Sequence, residues 1–253
     1  MLQWTWVSAE YRGTSHERTG APMQDAHSCF VAHNERDIFV SVVADGAGSA
    51  SFGGQGASLA CRLLANAVRA HFRVQVSLPS DSDIESWVDV ARDQVFSVAI
   101  RRSLQPREFA STLIFAMTDG ENTVIAHIGD GCCVLQDRAT GQWLTPSWPD
   151  HGEYASTTHF LTDEPTIALR ITRYSAPISA MVSFTDGLER LALDFAAARP
   201  FDRFLNGICL PLFKSRAQGR DRKLSEQLRE YLNSQQINGR TDDDKTLILA
   251  VPR

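Results

Sequence analysis

The stretch "VVADGAGSASFGGQGAS", Val42 to Ser58, ends an apolar run on an aspartate and continues as a glycine-rich loop. Upstream, "DIFVSVVADG" is dominated by β-branched and aromatic residues and reads as a buried strand. Downstream, "QGASLACRLLANAVRAHF" places Leu59, Leu63, Ala67 and Phe72 at helical spacing, which predicts a helix with that stripe buried. The loop between them is not a Walker loop, because no Gly-Lys-Ser/Thr follows. It is not a dinucleotide fingerprint either, since "GAGSASFG" lacks the GxGxxG spacing. Small residues here would let backbone approach a metal ion or its waters closely. The stretch therefore reads as the edge of a metal site.

Outward from this point, strands and helices come in pairs rather than in strict alternation. "SDIESWVDVARDQVFSVAI" predicts a helix whose Ser82 and Glu85 have capping-box spacing. In "STLIFAMTDGENTVIAHIGDGCCVL" two apolar runs joined by Asp-Gly-Glu-Asn predict a hairpin, because Asp-Gly tolerates the positive φ of tight turns. The segment from Gly141 to Tyr174 is polar, proline-containing and weakly periodic, and is expected to run over the surface. "ISAMVSFTDG" predicts a strand, "LERLALDF" after it looks helical, "DRKLSEQLREYLNSQ" predicts an amphipathic helix, and "KTLILAVP" a last strand. Paired rather than alternating elements argue for an α+β fold, with antiparallel sheets and helices packed outside them.

Asp-Gly ends an apolar run four times, at Asp45, Asp119, Asp130 and Asp186. Each is compatible with a turn. Asp119 fits that reading alone; Asp45 leads into the glycine loop and Asp186 into the "LERLALDF" segment. "TDDDKTLIL" adds Asp242, Asp243 and Asp244 just before a strand. Carboxylates held at neighbouring strand ends repel one another unless a cation lies between them, and magnesium or manganese prefer such oxygen ligands.

The 253 residues are 43% hydrophobic and 22% charged, ordinary values for a globular chain that can bury a core. Neither repeats nor low-complexity linkers divide them, and the length suits one large domain or two small ones. The net charge of −5 argues against a nucleic-acid partner; the one basic cluster, Lys214–Lys223, reads as solvated surface. Five cysteines without CxxC spacing predict free thiols rather than disulfides, and hence a reducing compartment. The first twenty residues lack a basic segment followed by an apolar core, and no apolar run approaches the about 20 residues that cross a bilayer. A cytoplasmic protein without a membrane partner is expected, acting as a monomer.

In chain order, "PMQDAH" (Pro22–His27), "VVADGAGS" (Val42–Ser49), "ASTLIFA" (Ala110–Ala116), "HIGDGCCVL" (His127–Leu135), "SFTDGLER" (Ser183–Arg190) and "DDKTLILAV" (Asp243–Val251) resemble the motifs of the metal-dependent protein phosphatases, the protein phosphatase 2C family. The resemblance spans nearly the whole chain, which implies a single catalytic domain over 1–253, and is closest to a compact bacterial branch. It implies a β-sandwich of two antiparallel sheets flanked by helix pairs, four layers in the order α-β-β-α, with two Mn2+ or Mg2+ ions at one end. Residue by residue, Asp45 corresponds to the carboxylate bridging both ions and Gly46 to a ligand through its carbonyl. Asp186 and Asp243 correspond to further ligands, with Asp244 the alternative to Asp243 because it stands where the family has asparagine. Asp130 corresponds to a ligand of a weaker third ion, and Asp25 to a carboxylate reaching the second ion through waters. Ser111 and Thr112 would shape the neighbouring sheet. The segment 137–174 corresponds to a flap beside the site, expected to select substrates.

The sequence departs from the family pattern at Gln24, where many members have glutamate, and at Ala47, where some have a histidine. The family's phosphate-binding arginine is out of register, leaving Arg18 and His16 as candidates; His16 reads equally as a phosphate contact or as a structural hydrogen bond. His127, inside a strand, and Trp87, on an apolar helix face, read as packing residues. The implied reaction is hydrolysis of phosphoserine and phosphothreonine in proteins phosphorylated by a Ser/Thr kinase, in which water activated at Asp45 and Asp186 through the metals attacks phosphorus. A non-catalytic binding module and a hydrolase of another phosphate ester are the alternatives.

Overall fold

Alternation along one strand accounts for the layering. In Asp37–Asp45, Ile38, Val40, Val42 and Ala44 pack in one apolar cluster and Phe39 and Val43 in another. A strand's side chains point alternately to its two faces, so this one is covered on both. The computed structural model describes residues 3–33, 35–150 and 158–253.

The chain begins with β1 (Trp4–Tyr11), α1 (Thr14–Thr19), β2 (Asp25–His33) and β3 (Asp37–Asp45), then two long helices, α2 (Gly53–His71) and α3 (Asp81–Arg101). Six strands follow: β4 (Leu113–Thr118), β5 (Asn122–Ile128), β6 (Cys132–Asp137), β7 (Trp143–Ser147), β8 (Arg170–Ser175) and β9 (Ile178–Phe184). The last part holds α4 (Glu189–Ala192), a small hairpin of β10 (Leu193–Asp194) and β11 (Arg199–Pro200), α5 (Asp202–Lys214), β12 (Gly219–Arg220), α6 (Arg222–Leu232), α7 (Gln235–Asn238) and β13 (Lys245–Pro252).

One sheet has the order β2-β3-β4-β5-β8 and the other β12-β1-β13-β9-β6-β7. Every pairing is antiparallel except the two-residue contact of β12 with β1. Three apolar clusters fill the spaces between four layers. α2 and α3 cover the five-stranded sheet, with Leu64, Val68, Ile84 and Val88 fully buried. Phe39, Ile114, Ile125, Met181 and Ile248 lie between the sheets. α5 and α6 cover the six-stranded sheet through Leu205, Cys209, Leu212 and Leu232. This is the α-β-β-α sandwich expected, and the Asp119-Gly120 hairpin joins β4 to β5 with Gly120 at φ 89°.

Four local expectations are corrected. The buried stripe of α2 is Ala57, Ala60, Cys61, Leu64 and Val68, while Leu59, Leu63 and Ala67 are half-buried beside it; the small residues allow the closer approach to the sheet. The capping box of α3 is formed by Ser80 and Asp83, not Ser82 and Glu85. Ser-x-x-acid occurs twice, two residues apart, and the first pair starts the helix. In "LERLALDF" the helix ends at Ala192: a 3-10 turn over Asp186–Leu188 leads into the short α4, and Leu193–Asp194 then turns into the β10–β11 hairpin. Finally, the segment expected to run over the surface supplies β7 and β8, edge strands of the two sheets, and only 148–169 connects them. Residues 151–157 of that connection lie outside the described residues.

All five cysteines are free, four of them buried, and Lys214, Arg216, Arg220, Arg222 and Lys223 of the basic cluster are exposed. Trp87 packs against the helix-side core beside Phe115. Among the described residues no helix is long and apolar enough to cross a membrane.

Candidate metal centre

The motif residues reach one end of the sandwich because the strands that carry them are antiparallel neighbours. Asp45 ends β3 and is the register partner of Asp25, which starts β2. Asp130 follows β5, Asp186 follows β9, and Asp243 and Asp244 precede β13, whose Leu247 pairs with Phe184 of β9. Carboxylate oxygens of Asp45, Asp130 and Asp186 lie within 4.8 Å of one another. Asp130, Asp186 and Asp243 line an open cleft of about 950 Å³, with Phe160 on its wall.

Backbone constraints hold these groups in place. Thr112 grips Asp45 twice: its hydroxyl accepts from the Asp45 amide (3.0 Å), and its own amide donates to the Asp45 carbonyl (2.8 Å). Gly46 abuts Gly53 at the start of α2 so tightly that a Cβ would run into that backbone. Asp130 sits between Gly129 (φ 86°) and Gly131 (φ 76°), at the corner where the chain crosses from one sheet to the other. Left-handed backbone on both sides is inexpensive only for glycine. His127 is buried beneath this corner, with Nδ1 2.9 Å from the Ser147 hydroxyl and Nε2 3.4 Å from the Asp130 carbonyl. Arg170 Nη2 lies 3.3 Å from Nδ1 and has only hydrogens to give, so Nδ1 accepts and Nε2 carries the proton toward Asp130. Burial, with the Arg170 charge beside it, lowers the His127 pKa to about 4, consistent with a neutral packing residue.

The electrostatics are those of a cation site. Burial raises the Asp45 pKa well above the ordinary carboxylate range, and the charges of Asp25, Asp186, Asp243 and Asp130 raise it further. Asp186 is raised by burial and then by Asp130, Asp243, Asp25 and Glu189. Asp25 is pushed up to about 7 by burial, opposed by hydrogen bonds from Thr185 and Thr246. Thr185 Oγ1 donates to Asp25 Oδ2 (2.7 Å), while the buried Oδ1 receives no directed hydrogen bond. Converging carboxylates, one with an oxygen left over, fit hard divalent ions with oxygen ligands.

The two candidates in "TDDDK" have different surroundings. Asp243 lines the cleft. Asp244 is fully buried and accepts from the Gly13 amide on Oδ1 and the Gln24 amide on Oδ2, each at 2.6 Å. His16 Nδ1 is 3.0 Å from Asp244 Oδ1, a close contact whose angle is not that of a directed hydrogen bond. The ring thus meets Asp244, and His16 is not among the residues lining the cleft. Arg18 is largely exposed and pairs with Asp242. Gln24 points its side-chain amide toward the Ala50 carbonyl (3.5 Å).

Several residues around the site were missed in the sequence. Arg190 and Arg240 are the arginines that line the cleft. Glu189 is buried and accepts from the Gly131 amide (2.6 Å), and burial followed by the Asp130 charge pushes its pKa up to about 8. Lys245 is buried and donates to the Asp243 carbonyl and Asn238 Oδ1, both at 3.1 Å; burial lowers its pKa against the opposing pull of Asp244 and Asp243. Thr185, Glu189 and Arg190 fall within "SFTDGLER", so position next to a motif aspartate was the available signal.

A four-layer sandwich with an acidic cleft at the strand ends defines a class, and sequence comparison specifies it. Residues 12–233 match the pattern described as protein phosphatase 2C. The chain belongs to the protein phosphatase 2C family. It is 37% identical over 262 residues to serine/threonine-protein phosphatase 3 of Escherichia coli (strain K12), covering 99% of both chains. In fold it is similar to the catalytic domain of the serine threonine protein phosphatase PstP in complex with two manganese ions (TM-score 0.64, 16% identity, 100% and 99% of the chains covered). It is likewise similar to RsbX in complex with magnesium (TM-score 0.58, 15% identity, 100% of each chain covered).

Proposed function

We propose that this protein is a metal-dependent serine/threonine protein phosphatase, hydrolysing phosphoserine and phosphothreonine monoesters in proteins. The observation that carries the reading is the convergence of Asp45, Asp130 and Asp186 within 4.8 Å in a chain 37% identical to a serine/threonine-protein phosphatase over its whole length. Asp45, the Gly46 carbonyl, Asp186 and Asp243 would hold two Mn2+ or Mg2+ ions, with Asp25 as a carboxylate that would contribute through water and Asp130 as one that would serve a weaker third. Bound there, the ions supply an acidified water as nucleophile and neutralise phosphoryl charge.

The chain's own residues do the rest. Thr112 and the Gly46–Gly53 contact fix the direction of Asp45, and the glycine-flanked corner fixes Asp130. Arg190 and Arg240 present positive charge in the cleft toward a dianionic phosphate. Asp244 acts as an anchor tying the α1 loop to β2, and His16 acts through it rather than on substrate. The flap within 137–174 borders the cleft at Thr158 and Phe160, which supports a role in substrate selection. The protein works as a single-domain monomer in the cytoplasm on substrates of a Ser/Thr kinase.

Turnover of a phosphothreonine peptide and of a nucleoside monophosphate, each with manganese and with EDTA, tests the substrate class. Manganese-dependent release from the peptide in preference to the nucleotide is expected. Release from the nucleotide alone would contradict the reading.

A further inference from the structure

A second groove lies on the other side of the cleft's arginines. Between α5 and α6, over the six-stranded sheet, lies a space of about 790 Å³ lined also by Val7 of β1 and Leu249 of β13. Its walls are apolar, with Ile208 and Phe204 from α5 facing Leu228 and Tyr231 from α6, and Phe201 stands at its edge 45% exposed. Gly207 and Pro211, four residues apart and so on one face of α5, both line it. At Gly207 a side chain is missing from open space: a Cβ would meet nothing within 4 Å.

The rim is positive. Arg190, Arg203 and Arg240 line the groove in a chain whose net charge is −5. The side chains of Arg203 and Arg240 make no hydrogen bond or ion pair with described residues. Arg190 and Arg240 also line the cleft that holds Asp130, Asp186 and Asp243. Cleft and groove therefore share a wall.

We infer that the α5–α6 groove is a docking site for a segment of the phosphoprotein substrate in which apolar side chains alternate with acidic ones. The apolar side chains cover Ile208, Leu228 and the sheet floor, the acidic ones meet the three arginines, and the phosphorylated residue reaches the cleft across Arg190 and Arg240. Apolar anchors in a desolvated groove supply affinity, and the charged rim supplies selectivity. This rests on the phosphoprotein phosphatase reading.

The test uses phosphothreonine peptides carrying a Leu-Glu-Leu-Glu block at graded distances on either side of the phosphothreonine. Matched Ala-Glu and Leu-Lys blocks serve as controls, and p-nitrophenyl phosphate, too short to lie in the groove, reports the cleft alone. At one range of distances the Leu-Glu block is expected to lower KM roughly tenfold with little change in kcat. Gly207→Trp, which puts an indole into the groove, should erase that gain, and Arg203→Glu should shift the preference to the Leu-Lys block. Both variants should turn over p-nitrophenyl phosphate like the parent. A KM indifferent to the position of the block, or a preference that survives both substitutions, would overturn the docking inference alone. Hydrolysis of p-nitrophenyl phosphate without turnover of any phosphopeptide would overturn the function with it.

Discussion

Asp25 and Asp45 are register partners across β2 and β3, so two carboxylates are held side by side at the mouth of the sandwich with Asp25 buried. Their raised pKa values mean that the folded metal-free chain holds protons there more tightly than the unfolded chain does. An acid whose folded pKa lies above its unfolded value favours folding below the unfolded pKa, and that contribution is lost as pH rises through the folded one. For Asp25 the window runs from the unperturbed value of 3.8 to about 7, and for Glu189 from 4.5 to about 8. The Tm of EDTA-treated protein should therefore receive a declining contribution from these groups between about pH 4 and 8. Manganese binding requires the same groups deprotonated, so the rise in Tm on adding manganese should be larger at pH 8 than at pH 6. A rise that shrinks with increasing pH would contradict the assignment.

Asp243 and Asp244 are adjacent in sequence but face different tasks. Asp243→Asn should abolish manganese-dependent turnover while lowering Tm little, since the amide oxygen can still accept from the Asp244 amide. Asp244→Ala strands the buried Gly13 amide, at about 1–3 kcal/mol for a buried donor left unpaired, and at smaller cost the part-buried Gln24 amide. Its Tm should fall by roughly 2–4 °C per kcal/mol. Thermal melts with a metal titration of both variants check this; a stable but metal-blind Asp244→Ala would exchange the two roles.

The Thr112 hydroxyl is the side-chain acceptor for the Asp45 amide. Thr112→Val keeps the shape and removes that acceptor, so stability should fall by about 1–3 kcal/mol. Turnover should fall as well, because Asp45 is less well aimed. Chemical denaturation and a manganese dose–response measure the two effects; unchanged stability with unchanged manganese affinity would show that Thr112 does not orient Asp45.

The fold was legible in the sequence where local pattern and burial agree. β3 is an apolar run between Asp37 and Asp45, β13 is one that starts directly after Asp244, and the Asp-Gly hairpin lies between two further apolar runs. It was illegible where a local signal had two solutions. Ser80 and Ser82 both begin a capping pattern, and only packing of α3 selects the first. β7 and β8 are edge strands with half-buried residues, and so lack the alternation of strands with one solvated and one buried face. At the site, the motif aspartates could be named from the sequence, but their surroundings could not. Asp243 and Asp244 are chemically equivalent on paper, and the Gly13 and Gln24 amides that distinguish them are 231 and 220 residues away. Arg190 and Arg240 come together in the cleft only through the fold.

The role of Asp45 in a catalytic metal centre is tested most directly by phosphate release from a phosphothreonine peptide with manganese, for the parent chain and Asp45→Asn, with manganese occupancy measured on both. The prediction is turnover that EDTA abolishes in the parent, and in Asp45→Asn a loss of metal affinity and of rate exceeding roughly a hundredfold, in a protein that still folds. An Asp45→Asn variant that binds manganese and releases phosphate like the parent would contradict it.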